Sequence, residues 1–152
     1  MRPPTHKPLD MQRLMRIATE LEEAFEMSEH ASLSPEAVDE LADEIGAPAS
    51  HVYAAAAMMT ELPMDESAPI RFELCAGGCQ SWGALPLIDK LSVAHAQRRE
   101  NGEAGFGIVA RRCIDKCAEA PVVLIRTPDG TAGLLKATPE ALDEALSQAL
   151  EV

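Results

Sequence analysis

Two strand-like runs in this chain each end in a pair of cysteines with three residues between them. The first run, FELCAGGC, carries Cys75 and Cys79, and the second, FGIVARRCIDKC, carries Cys113 and Cys117. Together they account for all 4 cysteines of the chain. Any fold that explains one pair has to explain the other, so the pattern demands two strand ends side by side.

The intervening sequence supplies a way to bring them there. Residues 70–74, IRFEL, alternate apolar and polar as a half-buried strand does. Residues 82–99 read as a helix, with Leu85, Ile88, Leu91 and Val93 available for burial. Residues 105–110, GFGIVA, form a second strand. Strand, helix, strand is a βαβ unit, and its strands run parallel with a right-handed crossover in nearly all cases. Cys75 then follows the first strand, and Cys113 follows the second. Both emerge at the carboxyl edge of the sheet, where open α/β sheets place their ligand sites.

Four thiolates meeting there admit three chemistries. They satisfy one [2Fe–2S] cluster, in which each iron takes two cysteines. They satisfy a structural zinc site with four cysteine ligands, for which pair spacings of two to four residues are normal. They could also form a redox dithiol, although its usual spacing is C-x-x-C and this chain has C-x-x-x-C twice, which ranks that reading last. Spacing alone leaves iron and zinc open. Ala76, Gly77 and Gly78 let backbone N–H groups approach sulfur closely. Arg111, Arg112 and Lys116 flank the second pair, either offsetting a cluster's negative charge or standing as ordinary solvated side chains.

The rest of the chain divides around this unit. Residues 1–9 read as a flexible proline-containing tail. Residues 10–29 form an amphipathic helix with Leu14, Ile17, Ala18, Leu21 and Phe25 on one stripe. A second helix is capped by Ser34, begins at Pro35 with Glu36, buries Val38, Leu41, Ala42 and Ile45, and stops at Gly46. A third helix is expected from about Pro48 to Leu62. Residues 10–62 thus make a small helical bundle, read either as an interface for a partner or as packing for the sheet. PMDESAP, residues 63–69, is a linker, and residues 70–152 form the second unit. There the continuous apolar run PVVLIRT, residues 121–127, predicts a buried third strand. PDG at 128–130 predicts a turn, and TAGLLK returns as a fourth strand. Thr138 caps a last helix that opens at Pro139, with Leu142, Ala145, Leu146 and Leu150 on its stripe. The expected class is α/β (α+β): a helical bundle followed by a thioredoxin-like domain with a mixed four-stranded sheet.

Charge narrows the function. Thirteen basic and 25 acidic residues give a net charge of −12 in 152 residues. That opposes nucleic acid, which requires a basic patch, and an anionic membrane surface. No run is long and apolar enough to span a membrane, and MRPPTHKPLDMQ has no apolar core of a secretory signal. A cytoplasmic location follows as the expectation. Thiols are kept reduced there, which favours metal ligation over structural disulfides.

These residues resemble a known family, the small thioredoxin-like [2Fe–2S] subunits of respiratory complex I, soluble NAD-reducing hydrogenases and NAD-dependent formate dehydrogenases. The resemblance is strongest in FGIVARRCIDKCAEAPVVLI, continues in CAGGCQSWGALPLIDKL, and extends through LSPEAVDELADEIGAPASHVYAAAAMMTEL to cover roughly residues 10–150. It differs at two places. The family usually spaces its first pair as C-x-x-x-x-C, one residue more than between Cys75 and Cys79, and AAAAMMTEL lacks the aromatic pair common in the third helix. The resemblance implies that Cys75, Cys79, Cys113 and Cys117 hold one [2Fe–2S] cluster. It implies a non-catalytic electron-transfer subunit of an NAD(H)-linked dehydrogenase, with FMN and NAD in an adjacent subunit. A soluble formate dehydrogenase or hydrogenase is favoured as the parent complex. A complex I small subunit and a zinc-stapled interaction module are the alternatives. His6, His30, His51 and His95 are isolated, and surface or packing roles are expected for them.

Overall fold

A computed structural model describes residues 9–76, 81–112 and 121–150. Three helices come first: α1 (Met11–Met27), α2 (Pro35–Ile45) and α3 (Ala49–Met59). Then follow β1 (Arg71–Cys75), α4 (Ser81–Glu100), β2 (Gly107–Arg111), the hairpin β3 (Val123–Thr127) and β4 (Gly130–Leu134), and α5 (Pro139–Leu150).

Local chemistry sets the helix ends. Asp10 Oδ1 accepts from the Arg13 N–H at 2.8 Å and starts α1. Ser34 Oγ accepts from the Ala37 N–H at 3.1 Å and starts α2, a cap worth about 1 kcal/mol. Gly46 ends that helix at φ 79°, a left-handed conformation that costs a residue without a Cβ little. α3 stops at Met59, three residues short of the expected end. Thr60 turns its hydroxyl back onto the Ala56 carbonyl at 2.8 Å, and Pro63 disfavours helical backbone at Leu62. Thr138 Oγ1 accepts from the Ala141 N–H at 3.1 Å, capping α5 as expected.

The four strands form one mixed sheet in the order β2-β1-β3-β4. β1 and β2 are parallel, while β1–β3 and β3–β4 are antiparallel. This is the thioredoxin-like arrangement, with the helices of residues 11–59 preceding it. Phe72, Leu74, Ile108, Ala110 and Val123 enter the same apolar core as Leu14, Leu21, Val52 and Tyr53. One core therefore runs through both the helical segment and the sheet. α3 packs against α1, α4 and β2, and the small side chains of Ala54, Ala55 and Ala56, all buried, let it approach closely. The segment 63–69 is pinned as well: Leu33 donates its N–H to Pro63 at 2.8 Å and accepts at its carbonyl from Asp65 at 3.2 Å.

Three further expectations are corrected. The run 121–127 is not a fully buried strand: Val122 and Val123 are buried, but Leu124 to Thr127 are only half-buried. β3 lies between β1 and β4, yet only its alternate residues Val123 and Ile125 reach the core. Val93 is not buried but 57% exposed, and Ala84, Leu87 and His95 take the inner positions of α4 instead. The strand expected at residues 131–136 starts at Gly130 and ends at Leu134. The chain turns away through Lys136 at φ 48°.

Candidate metal centre

The site is built on β1 and β2. Their register pairs Arg71 with Gly107, Glu73 with Val109 and Cys75 with Arg111. Cys75 is thus the last residue of β1, not the residue after it, and it lies opposite the last residue of β2. The Ala76 N–H donates to the Arg111 carbonyl at 2.6 Å, extending the pairing one step beyond the strand. The chain leaving β2 reaches position 113 two residues after Arg111. The two cysteine-bearing connections therefore open side by side at one carboxyl edge, as the βαβ pattern demanded. Cys79, Cys113 and Cys117 themselves lie outside the described residues.

Cys75 is a free thiol, buried at 7% exposure. Its Sγ–H donates to the Arg112 carbonyl at 3.6 Å. The donor chemistry fits an iron–sulfur centre. A reduced thiol sits in a shielded position on a strand end, aimed at the segment that leads directly into the second pair.

Around the thiol the electrostatics are organised in a way that the spacing of residues did not reveal. Glu73, two residues before Cys75, is buried at 1% exposure. Arginines from three strands surround its carboxylate. Arg126 Nε donates at 2.6 Å, Arg111 Nε donates at 3.3 Å, and Arg71 Nε lies at 3.8 Å. Burial alone would push the Glu73 carboxyl up, but the hydrogen bonds from Arg126 and Arg111 outweigh it and hold the group below the usual carboxylate range. Burial likewise opposes the charge of Arg111, and its bonds to Glu66 at 2.7 Å and to Glu73 reverse that effect. The sequence signal was present in the strand alternation: Arg71, Glu73 and Arg111 share a face by register. Arg126 joins them only because β3 pairs antiparallel to β1.

Arg112 behaves differently from its neighbour. It is exposed, and its Nη2 donates to the Met58 carbonyl of α3 at 2.7 Å. The histidines within the described residues lie away from this edge. His30 pairs with Glu40 at 3.0 Å, and Arg13 Nε donates to His51 Nδ1 at 3.2 Å. His95 packs edge-on to Phe106 with Nε2 3.5 Å from Glu36. Each is a packing or surface group, as expected.

This edge and this sheet define a thioredoxin-like iron–sulfur protein. The family model for thioredoxin-like [2Fe-2S] ferredoxin matches residues 6–149, and the chain belongs to that family. No curated protein matches it. Its cofactor is a [2Fe–2S] cluster and its role is electron transfer. No described helix is long and apolar enough to cross a membrane.

Proposed function

We propose that Cys75, Cys79, Cys113 and Cys117 are the four ligands of the cluster. We further propose that the chain is a subunit of a cytoplasmic multisubunit NAD(H)-linked dehydrogenase. The observation that carries the ligand set is the pairing of Cys75 with Arg111, which starts the second cysteine segment beside the first. When bound, a [2Fe–2S] cluster supplies a one-electron redox couple whose potential follows charge, hydrogen bonding and exposure at the sulfurs.

What the chain contributes is placement and shielding. Strand pairing fixes Cys75, the core beneath it excludes water, and Glu73 with its arginines sets the charge along the same face. Electrons pass between this site and a flavin-containing, NAD(H)-binding subunit. Catalysis on the substrate belongs to a further subunit of the complex. The resemblance of the cysteine segments favours a soluble formate dehydrogenase or hydrogenase as that complex.

Absorption of anaerobically purified protein, with iron, sulfide and zinc assayed on the same sample, tests the reading. A red-brown chain with about two irons and two sulfides supports it. A colourless chain with one zinc replaces it with a structural module. Co-purification from the native organism then identifies the parent complex: a flavoprotein in the same particle supports the NAD(H)-linked assignment, and an isolated chain overturns it.

A further inference from the structure

Arg112 joins three parts of the molecule that the sequence keeps far apart. Its side chain reaches the end of α3, donating from Nη2 to the Met58 carbonyl at 2.7 Å. The last four carbonyls of a helix have no partner within the helix. In α3 the Ala56 carbonyl is taken by Thr60 Oγ1 at 2.8 Å, and the Met58 carbonyl is taken by Arg112. A cation at this end also meets the negative pole of the helix dipole. Arg112 is therefore a cap supplied to α3 from 54 residues further along the chain.

Its main chain belongs to the cysteine edge. The Arg112 carbonyl accepts from Cys75 Sγ at 3.6 Å, and the preceding carbonyl, of Arg111, accepts from Ala76 at 2.6 Å. The next residue is Cys113. Between the end of α3 and the end of β2 lies a cleft of about 260 Å³ lined by Ala57, Thr60, Glu61 and Arg112 among others. The Arg112 side chain reaches from the end of β2 to the end of α3.

The two adjacent arginines have separate tasks. Arg111 is held by Glu66 and Glu73, so its charge is matched locally. Among the described residues Arg112 has no carboxylate partner, only the carbonyl of α3. Its positive charge stands next to the cysteine edge, one residue before Cys113.

We propose that Arg112 is a positioning residue for the cluster: by capping α3 it fixes where the second cysteine segment begins, and it places one positive charge, paired with no described carboxylate, beside that segment. The helical segment thereby becomes part of the cluster's housing. This inference rests on the ligand assignment proposed above and adds a residue and a route to it.

The test uses the full chain carrying its cluster, as wild type, Arg112→Gln and Arg112→Lys. Hydrogen exchange reads the end of α3, and a redox titration followed by electron paramagnetic resonance reads the cluster. Arg112→Gln is expected to speed exchange at Ala57 to Met59. It is also expected to lower the ratio of reduced to oxidised cluster at a fixed ambient potential by about fivefold, the order of effect of removing one unit charge near a protein surface. Arg112→Lys keeps the charge and is expected to restore the reduced fraction. Faster exchange with an unchanged potential and line shape reduces Arg112 to a helix cap and overturns the proposal. Unchanged exchange overturns it as well. A wild-type chain without iron defeats the ligand assignment before any variant is made, so the two failures are separable.

Discussion

Cys75 and Arg111 are paired directly across two parallel strands, and the second cysteine segment begins just beyond Arg111. That pairing converts a separation of 36 positions into adjacent backbone. It also means that Cys75 is held by the sheet itself. A residue held in this way needs little reorganisation to serve as the proposed ligand, because the cost of ordering its backbone is met by strand pairing.

Replacing Cys75 by Ser is therefore expected to remove the normal cluster while leaving the fold. The serine hydroxyl still donates to the Arg112 carbonyl, and far-ultraviolet circular dichroism should match the wild type. Iron should fall well below about two per chain, and the same loss is expected for Cys113→Ser and Cys117→Ser. Full iron with an unaltered visible spectrum in these variants would remove them from the ligand set.

Glu73→Gln leaves the guanidinium groups of Arg111 and Arg126 without their shared carboxylate. Breaking a buried ion pair costs about 3–5 kcal/mol. Both arginines are more than a third exposed, so solvent reduces the cost, and about 2 kcal/mol is expected here. Urea unfolding should show a lower midpoint with an unchanged slope. A midpoint within error of the wild type would show that the cluster of arginines needs no buried anion.

His95 predicts a pH dependence. Burial holds its imidazole below the usual value, and the nearby carboxylate of Glu36 only partly opposes this. The unfolded chain binds the proton more readily than the folded one. The contribution of neutral His95 is thus fully present above the ordinary imidazole range, near about pH 6.5, and is lost as the pH falls through the lowered folded value. Stability should drop from about pH 7.5 to about pH 5.5, and His95→Gln should flatten that drop. An identical drop in the variant would assign the acid sensitivity to other groups.

Gly105 lies against the same ring. A Cβ there would come within 2.8 Å of His95 Nε2, and the ring is held by Phe106. Gly105→Ala is expected to cost about 1–3 kcal/mol through overpacking. Thermal unfolding with an unshifted midpoint would show that the ring has room to move.

The continuous core leads to a prediction about cooperativity. Leu21 of α1 is fully buried, and Leu21→Ala should cost about 3 kcal/mol. Although the substitution lies in the helical segment, loss of helix signal and loss of visible cluster absorption should shift together on heating. Two separated transitions would mean that residues 10–62 and 70–152 melt independently.

The element order and the shared cysteine edge could be read before any coordinates because they rest on local signals: alternation in IRFEL, caps at Ser34 and Thr138, and a helix between two strands. The burial of individual side chains was less legible. PVVLIRT has the composition of a central strand, yet the sheet offers the core only one of its faces. Val93 fits an apolar stripe by spacing, but α4 rotates it outward and buries His95, whose apolar ring surface packs on Phe106. The Glu73 cluster and the Arg112 cap were out of reach for a physical reason. Both join residues brought together by strand pairing and helix docking, and no local pattern records which carbonyl a long arginine will find.

The first cysteine pair begins at Cys75, the last residue of β1, and α4 begins at Ser81. Strand pairing holds the first of these elements, and burial of Leu87, Ile88 and Leu91 in the core holds the second. The parts that set the fold and the connection that carries the first cysteine pair are thus separate targets for redesign: the potential of an electron carrier can be sought in one without rebuilding the other.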